Sequence, residues 1–350
     1  MTTTKQTAAT TQITEILLPG MVEPSGLQIG HRTLPAPDAG QALVQVEASG
    51  VSFAEQAMRR GRYPGQPSFP FVPGYDFVGT IRAVGPGVRD DLIGTRTAVV
   101  TKTGGWAMHV LIAADTLVPV PIALNPAVVE TVLVNGVTAW QMLYRKAHVK
   151  AGQTILVHGA SGGVGTVLCQ IALNGGMRVI GTAAPRHHDS LRAMGVEPVD
   201  YNASDLAKRI RALAPKGVDA AFDHLGIDSA RMSFSLLARG GSLISYGNAV
   251  MLNRAGSMVS AFMVLLSQLT LWNLLPNSHS ASFYNFWGGN RIAPKAFRAR
   301  LREDLTILFG LLASGAINPP IAARFPLTEA SAAMVLAESR TVQGKVVLIP

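Results

Sequence analysis

The 350-residue sequence predicts a two-domain α/β protein, in which a doubly wound parallel sheet is joined to a second, β-rich domain. Three observations carry that prediction. A glycine-rich turn, Gly159-Ala160-Ser161-Gly162-Gly163-Val164-Gly165, separates an apolar run at residues 154–157 from a segment with helical periodicity. Beyond it, helical segments alternate with short buried-strand patterns as far as Ser245. Before it, from Gln12 to about Ala127, short β-like runs are punctuated by Pro and Gly.

The elements follow in order. Residues 42–46, 77–81, 97–100 and 107–112 read as strands of the β-rich domain. From about Val128 the pattern changes to helices and buried strands. Val164, Val167, Leu168, Ile171 and Ala172 form the stripe of a helix packed on a sheet, and Gly175-Gly176 ends it. Residues 177–180, 196–199, 218–222 and 242–245 are the next strands, with helices over about 204–213 and 230–237. A helix at 296–313 and a strand at 346–349 are expected to return to the β-rich domain. The expected partition is 1–127 with 288–350 for the β-rich domain and 128–287 for the parallel sheet. Residues 1–11 lack the apolar core of a signal peptide and read as a frayed tail.

Charge and cysteine usage narrow the function classes. The formal net charge is +9, yet Lys and Arg are scattered, with the densest groups at Arg59-Arg60-x-Arg62 and along Arg291 to Arg302. Without a nucleic-acid motif, an anionic cofactor and solvated helix faces account for the excess, and no nucleic-acid partner is expected. The single cysteine, Cys169, falls within the helix after the turn, so no intrachain disulfide exists and a cytoplasmic location is expected. Residues 255–290 contain no Asp, Glu, Lys or Arg. Ser260, Ser267, Gln268, Thr270 and Asn273 interrupt the apolar run there, which argues against a spanning helix. A lid over an apolar substrate, a subunit interface and peripheral membrane contact are the readings left open.

The turn carries the chemistry. Glycines let a chain bend sharply and approach a pyrophosphate closely, while the following helix offers free N–H groups and the positive end of its dipole. Strand, glycine turn, helix and strand together form the opening unit of a dinucleotide-binding (Rossmann) fold, here with Ala160 in place of the first glycine of GxGxxG. The same residues also spell a G-x-S-x-G nucleophile elbow around Ser161, with Asp223, His187, His188, His224 and His279 as downstream partners. An elbow has no use for Gly165, and no glycine-rich oxyanion loop precedes it, so the hydrolase is the lesser reading.

The identity of the dinucleotide is read at the next strand. NAD sites place an acid about 20 residues past the turn, where it bonds the ribose 2′-hydroxyl. Here the strand runs into Gly181-Thr182-Ala183-Ala184-Pro185-Arg186-His187-His188, with no acid before Asp189. Arg186 is the candidate for a 2′-phosphate, assisted by His187 or His188, and NADPH is the expected cofactor. Ligands in such sheets bind beyond the carboxyl ends of the strands, which brings in Asp223, His224, Gly226, Tyr246 and Gly247.

Several further runs, in order, carry a resemblance. They are Gly50-Val51-Ser52-Phe53-Ala54-Glu55, Arg60-Gly61-Arg62-Tyr63-Pro64, Val72-Pro73-Gly74-Tyr75-Asp76-Phe77-Val78-Gly79, Val134-Asn135-Gly136-Val137-Thr138-Ala139 and Gly344-Lys345-Val346-Val347. With the turn, they make the chain resemble the zinc-independent medium-chain dehydrogenase/reductases of the quinone oxidoreductase (zeta-crystallin-like) branch. The resemblance implies a GroES-like β-rich catalytic domain beside the Rossmann domain. Zinc-dependent relatives carry a cysteine where this chain has Val51 or Ser52 and a His-Glu pair where it has Tyr75-Asp76, so no zinc is expected. Without a Lewis acid, hydride transfer to a quinone or an α,β-unsaturated carbonyl is easier than alcohol oxidation.

By family position, Ser52 and Tyr63 face the acceptor, although relatives often have Asn at the former, and Glu55 is as structural as it is catalytic. The cofactor set implied by the turn and the resemblance is Asn135, Thr138, Ser161, Gly162, Gly163, Val164, Gly165, Thr182, Arg186, Tyr201, Leu225, Tyr246, Gly247 and Lys345. Residues 282–287 are expected to be an edge strand pairing across a homodimer two-fold. Two alternatives to an NADPH-dependent quinone or enone reductase stand: a non-catalytic NADPH-binding interaction or membrane-associated protein, and a biosynthetic enoyl reductase.

Overall fold

The computed structural model describes residues 10–252, 258–276 and 278–350. The chain divides into two compact units: Met1–Val134 with Ile321–Thr341 and Lys345–Pro350, and Asn135–Pro320 with Val342–Gly344.

The first unit is built on antiparallel strands. Strands β1 (Thr11–Leu17) and β2 (Gln28–Leu34) form a two-stranded ladder in register from Thr11↔Leu34 to Leu17↔Gln28. The larger sheet holds β3 (Gln41–Val51), β4 (Asp76–Val84), β5 (Arg96–Val100), β6 (His109–Ala113), β7 (Val118–Pro119), β14 (Ile321–Pro326) and β15 (Lys345–Ile349). Its order is β14-β15-β3-β4-β5-β7, with β6 also on β3. Two irregularities of register, at Leu43/Val44 and Val46/Ala48, bend the long β3 so that it serves several partners. Ala42, Val44, Val46, Phe77, Ile81, Val99 and Leu117 fill one side of the sheet. The four strands read from alternation are present; three are lengthened by main-chain pairing that side-chain pattern does not report, while the fourth, expected over 107–112, pairs over His109–Ala113.

Helix α1 (Phe53–Arg59) follows β3 directly. At its end, Arg59 and Arg60 both fork onto Glu338 of α10 (Ala330–Ser339), at 2.8–3.1 Å and 2.7–2.9 Å. Two members of the densest basic cluster are therefore paired with a carboxylate of the same unit. Helix α2 (Pro126–Glu130) is capped by Asn125, whose Oδ1 accepts from Ala127 N at 3.0 Å.

The second unit opens within α3 (Val134–Trp140) and carries six parallel strands. These are β8 (Thr154–His158), β9 (Arg178–Ala183), β10 (Glu197–Asp200), β11 (Val218–Asp223), β12 (Leu237–Ser245) and β13 (Ser280–Phe283). Their order, β10-β9-β8-β11-β12-β13, reverses direction of growth beside β8, the switch point of a doubly wound sheet. Helices α4 (Gly163–Asn174), α5 (His188–Met194), α6 (Leu206–Leu213), α7 (Ile227–Ser235), α8 (Met258–Leu274) and α9 (Pro294–Ala313) connect and flank them. Ile155, Leu156 and Val157 of β8 are fully buried, as expected of a strand covered on both faces.

Two findings modify the expected partition. Helix α9 belongs to the parallel-sheet unit, and the return to the β-rich unit comes at Ile321 instead of 288. The reason is its buried face: Asp304 accepts from Gln141 Nε2 at 2.6 Å and from Arg145, while Leu301, Leu305 and Leu308 are buried. The edge strand is present but spans Ser280–Phe283. Its backbone is satisfied at Ala281 by Asn273 of α8, whose side chain donates to the carbonyl at 2.7 Å and accepts from the N–H at 2.8 Å.

Of the uncharged stretch, residues 255–257 and 277 lie outside the described residues. Helix α8 buries Leu265, Leu269 and Trp272 against the sheet core, with Trp272 stacked on Phe234 at 4.4 Å. Its opposite face leaves Val259, Met263, Val264, Leu271 and Leu274 exposed. Among the described residues, no helix is long and apolar enough to cross a membrane.

Candidate active site

In the parallel-sheet unit, β8 delivers His158 to the glycine turn. Gly159 adopts φ +65°, and a Cβ there would meet His224 Cε1 at 2.6 Å. Gly162 is the N-cap of α4 and no side chain caps that helix. The first-turn N–H groups of Gly163, Val164 and Gly165 have no intrahelical acceptor, the arrangement that receives a phosphate. A Cβ on Gly165 would collide with the Gly159 carbonyl oxygen and lie 2.9 Å from Ala160 Cα. One on Gly163 would lie 2.7 Å from Asn135 Nδ2, so Asn135 sits against the turn. The Ser161 carbonyl accepts from Gly344 N at 3.1 Å.

A buried polar chain fixes this turn from behind. Thr182 Oγ1 accepts from Gly159 N at 3.3 Å and lies 3.1 Å from His158 Nδ1. His158 Nε2 lies 2.9 Å from Ser233 Oγ, which donates to Asp223 Oδ2 at 3.0 Å. Asp223 also accepts from Ser229 Oγ at 2.6 Å and from Leu225 N at 2.8 Å. One proton assignment satisfies every link: Thr182 donates to Nδ1, and Nε2–H donates to Ser233. Burial holds the His158 ring below its ordinary pKa, with Asp223 opposing, and the neutral ring fits that assignment. The chain ties together the carboxyl ends of β9, β8 and β11. It also redefines two expected residues. Thr182, expected among the cofactor residues, is 1 % exposed and its hydroxyl braces the turn from behind. Asp223, the acid a hydrolase requires, has its carboxylate engaged by Leu225, Ser229 and Ser233.

At the carboxyl end of β9 no acid is present. Arg186 is exposed in the turn Pro185–His187, and its Nε donates to His187 Nε2 at 3.3 Å. His188 lies 3.1 Å from the Ala183 carbonyl, which Tyr201 N also approaches at 3.4 Å. Arg186 and Tyr201 are thus brought to the same strand end. Beyond β11 and β12, Tyr246 N donates to Asp223 O at 2.9 Å, and the Tyr246 and His224 rings lie 5.4 Å apart. A Cβ on Gly247 would come within 3.1 Å of the His224 carbonyl, so Gly159, His224, Leu225, Tyr246 and Gly247 form one group. Thr138 departs from it. It is buried beside Tyr284, whose hydroxyl donates to Gln141 Oε1 at 3.0 Å.

In the β-rich unit, Ser52 is the N-cap of α1 in a full capping box with Glu55. Its hydroxyl donates to Glu55 Oε2, its N–H bonds the same oxygen at 2.8 Å, and its oxygen accepts from Ala54 N at 3.1 Å. The one proton Ser52 could offer an acceptor is therefore committed, and Ser52 departs from the expected donor role. Glu55 Oε1 accepts from Tyr75 N at 2.7 Å, and burial raises the Glu55 pKa. Tyr63, half-buried, places its hydroxyl 2.6 Å from that of Tyr75, with the rings edge to face at 5.9 Å. Lys345 also departs from expectation. Its ammonium is buried, 2.6 Å from Glu130 Oε1 and 3.2 Å from Asp76 Oδ2. Burial opposes that charge, but Asp76 and Glu130 hold it above the ordinary lysine pKa. Burial in turn pushes Glu130 well above the usual carboxylate range.

Three groups escaped sequence reasoning. The His158 network, Glu130 and the Tyr75 hydroxyl are polar side chains within apolar runs, and that conflict with the pattern is the signal that marks them. As for metal, Ser52 and Tyr75 supply neither the thiolate nor the imidazole of a zinc site. Among the described residues, no group of three His, Cys, Asp or Glu could hold an ion. Cys169 is buried in α4, and burial pushes its thiol up to about 12.

Comparison with known proteins agrees with this geometry. The family model described as "Alcohol dehydrogenase GroES-like domain" matches residues 38–122, and "Zinc-binding dehydrogenase" matches 194–348. The human synaptic vesicle membrane protein VAT-1 homolog is 30% identical over 327 residues, covering 90% of this chain and 80% of that protein. The structure of Escherichia coli quinone oxidoreductase complexed with NADPH superposes with a TM-score of 0.84 at 28% identity, covering 96% of this chain and 100% of the other. A mycobacterial protein solved with NADPH gives a TM-score of 0.82 at 29% identity, covering 97% and 100%. This chain belongs to the zinc-independent quinone oxidoreductase branch of the medium-chain dehydrogenase/reductase family.

Proposed function

We propose that the protein is an NADPH-dependent reductase of quinones or α,β-unsaturated carbonyls. The observation that carries this reading is the uncapped N-terminus of α4 behind Gly162, Gly163 and Gly165, beside a β9 end that offers Arg186 where an NAD site offers an acid. The residues fit the cofactor. Gly163, Val164 and Gly165 would receive the pyrophosphate on backbone N–H groups, Arg186 the 2′-phosphate, and Tyr201 the adenosine side. Asn135, Ser161, Leu225, Tyr246 and Gly247 complete the cofactor set. NADPH, when bound, supplies a hydride to an electron-poor acceptor.

The chain's own contribution is orientation and stabilisation of the negative charge that develops on the acceptor oxygen, for which Tyr63 is the donor. Oxidation of NADPH, followed by its absorbance with a panel of quinones and enones, tests the reading. Turnover with at least one acceptor and weak activity with NADH are expected. Tight NADPH binding with no turnover on any acceptor overturns it in favour of a non-catalytic binding protein.

A biosynthetic enoyl reductase has one supporting observation. A mycobacterial phthioceranic/hydroxyphthioceranic acid synthase is 30% identical over 337 residues, of which this chain spans 15% of the length. Turnover of thioester enones but not quinones would favour that version. A cytoplasmic homodimer remains part of the proposal. Strand pairing through β13 would need Asn273 to release Ala281, and light scattering of the purified protein tests it.

A further inference from the structure

Resting on the NADPH reading above, we propose that Gln343 is a further specificity-determining residue, its side-chain amide donating to the 2′-phosphate, and that Ser190 positions it. Residues Val342–Gly344 form a short strap that belongs to the parallel-sheet unit, although the chain on either side of it belongs to the other. The strap is fastened at two points. Gly344 N donates to the Ser161 carbonyl of the phosphate turn at 3.1 Å, and Ser190 Oγ lies 2.7 Å from Gln343 Oε1. Ser161 follows β8, and Ser190 lies in α5 directly after the Pro185–His187 turn that follows β9. These strands are neighbours, paired as far as His158↔Thr182 at their carboxyl ends. The strap therefore runs from the turn that would hold the pyrophosphate to the turn that carries Arg186.

The protons along the strap decide what it offers. Ser190 has one hydroxyl proton and two acceptors within reach, Gln343 Oε1 at 2.7 Å and the His187 carbonyl at 2.9 Å. When the proton goes to Gln343, the amide is held by its oxygen and both Nε2–H bonds are left to point elsewhere. Among the described residues, no acceptor takes them. Gln343 is half-buried, so a ligand can reach that donor. A phosphate oxygen suits it, because an N–H bond to an anion is charge-assisted. The opposite arrangement puts the Ser190 proton on the His187 carbonyl and turns the amide over to donate to Ser190. Its oxygen then faces outward and repels an anion. A 2′-phosphate thus selects the first arrangement, whereas a ribose 2′-hydroxyl has no such demand. Lys345, the cation expected in this part of the chain, cannot take the role, since its ammonium is engaged by Glu130 and Asp76.

The test measures dissociation constants for NADPH and NADH by fluorescence quenching, together with heteronuclear NMR of the side-chain amides. Gln343→Met keeps the length of the side chain and removes the amide. It is expected to weaken NADPH about tenfold and to leave NADH within about twofold. Gln343→Glu keeps the acceptor for Ser190 and puts a carboxylate where the donor was, so it should weaken NADPH more. Ser190→Ala should weaken NADPH alone by a few-fold, Ser190→Thr should restore it, and Ser190→Ala should add nothing to Gln343→Met. The Gln343 amide resonance, identified by its absence from Gln343→Met, should move further with NADPH than with NADH.

A wild-type preference for NADPH that survives unchanged in Gln343→Met overturns the proposal alone, as does an amide resonance that both cofactors move equally. Equal loss of both cofactors in Gln343→Met overturns it too, because that marks a purely structural strap. Additive losses from Ser190→Ala and Gln343→Met overturn the part given to Ser190. A wild type that binds NADPH no more tightly than NADH overturns the NADPH reading and this proposal with it. Should Gln343→Met unfold, the same ratio measured in the isosteric Gln343→Glu decides the matter.

Discussion

Replacing Gly165 by Ala tests the phosphate turn at its tightest point. The added methyl would overlap the Gly159 carbonyl oxygen and stand 2.9 Å from both Ala160 Cα and Gly159 C. All three are backbone atoms of the turn itself, so no side chain can rotate away, and the turn must open from α4. Gly165 has no positive φ, so the penalty is steric alone. Overpacking of this kind costs about 1–3 kcal/mol. If most of that strain is relieved by displacing the N–H groups from the pyrophosphate, NADPH affinity falls by roughly 10- to 100-fold. Two neighbours calibrate the result. At Gly163 the added methyl meets Asn135 Nδ2 at 2.7 Å, the end of a side chain that can swing aside. At Gly162 it meets only the Gly159 oxygen, at 3.2 Å. The expected order of damage is Gly165→Ala, then Gly163→Ala, then Gly162→Ala, measured by quenching of protein fluorescence on titration with NADPH. Wild-type affinity in Gly165→Ala, or the reverse order, would refute the steric argument.

Four further outcomes follow from named contacts. Arg186→Ala should reduce the preference for NADPH over NADH by about tenfold or more, read as the ratio of dissociation constants, since a charge-assisted phosphate contact is lost; an unchanged ratio sinks the 2′-phosphate assignment. Ser52→Ala should cost about 1 kcal/mol in chemical denaturation while leaving kcat within a few-fold, because it removes a helix cap; a large kcat loss at wild-type stability would restore Ser52 as a donor. Asn273→Ala should destabilise by about 1–3 kcal/mol and promote self-association by exposing the Ala281 N–H and carbonyl; size-exclusion profiles identical to wild type would contradict this. The His158 pKa lies below its ordinary 6.5, so the stability contributed by the neutral ring is complete above that value. It is lost as pH falls, by at most about 1.4 kcal/mol per pH unit. Urea midpoints between pH 7 and pH 5 should fall more in the wild type than in His158→Asn.

The parallel sheet was legible because its strands are apolar runs and its first helix carries a clean stripe from Val164 to Ala172. The glycine turn was legible because backbone chemistry there tolerates few residue types. Helix α9 was misassigned for a definite reason. Its amphipathic face announces burial but not against what, and the deciding group, Asp304 bonded to Gln141 and Arg145, is polar and more than 150 residues distant in sequence. Thr182, Ser52 and Lys345 show the same limit at the site. Family position locates a side chain near the chemistry, while its protons and charge are allotted by neighbours such as His158, Glu55 and Glu130. Tyr75 stood in a quoted motif, yet only the fold brings its hydroxyl to Tyr63.

The hydrogen-bonded chain from Thr182 to Asp223 has one direction, each hydroxyl or ring donating toward the carboxylate. A substitution within it therefore does not delete a single bond. It reverses what the next member must supply. Ser233→Ala would leave the Nε2–H of His158 facing a methyl group, and a ring flipped to satisfy that proton would strip Thr182 of its acceptor. The conformation of Gly159 thus depends on an anion at the end of the neighbouring strand β11, and any redesign of the turn has to preserve polarity along the whole row.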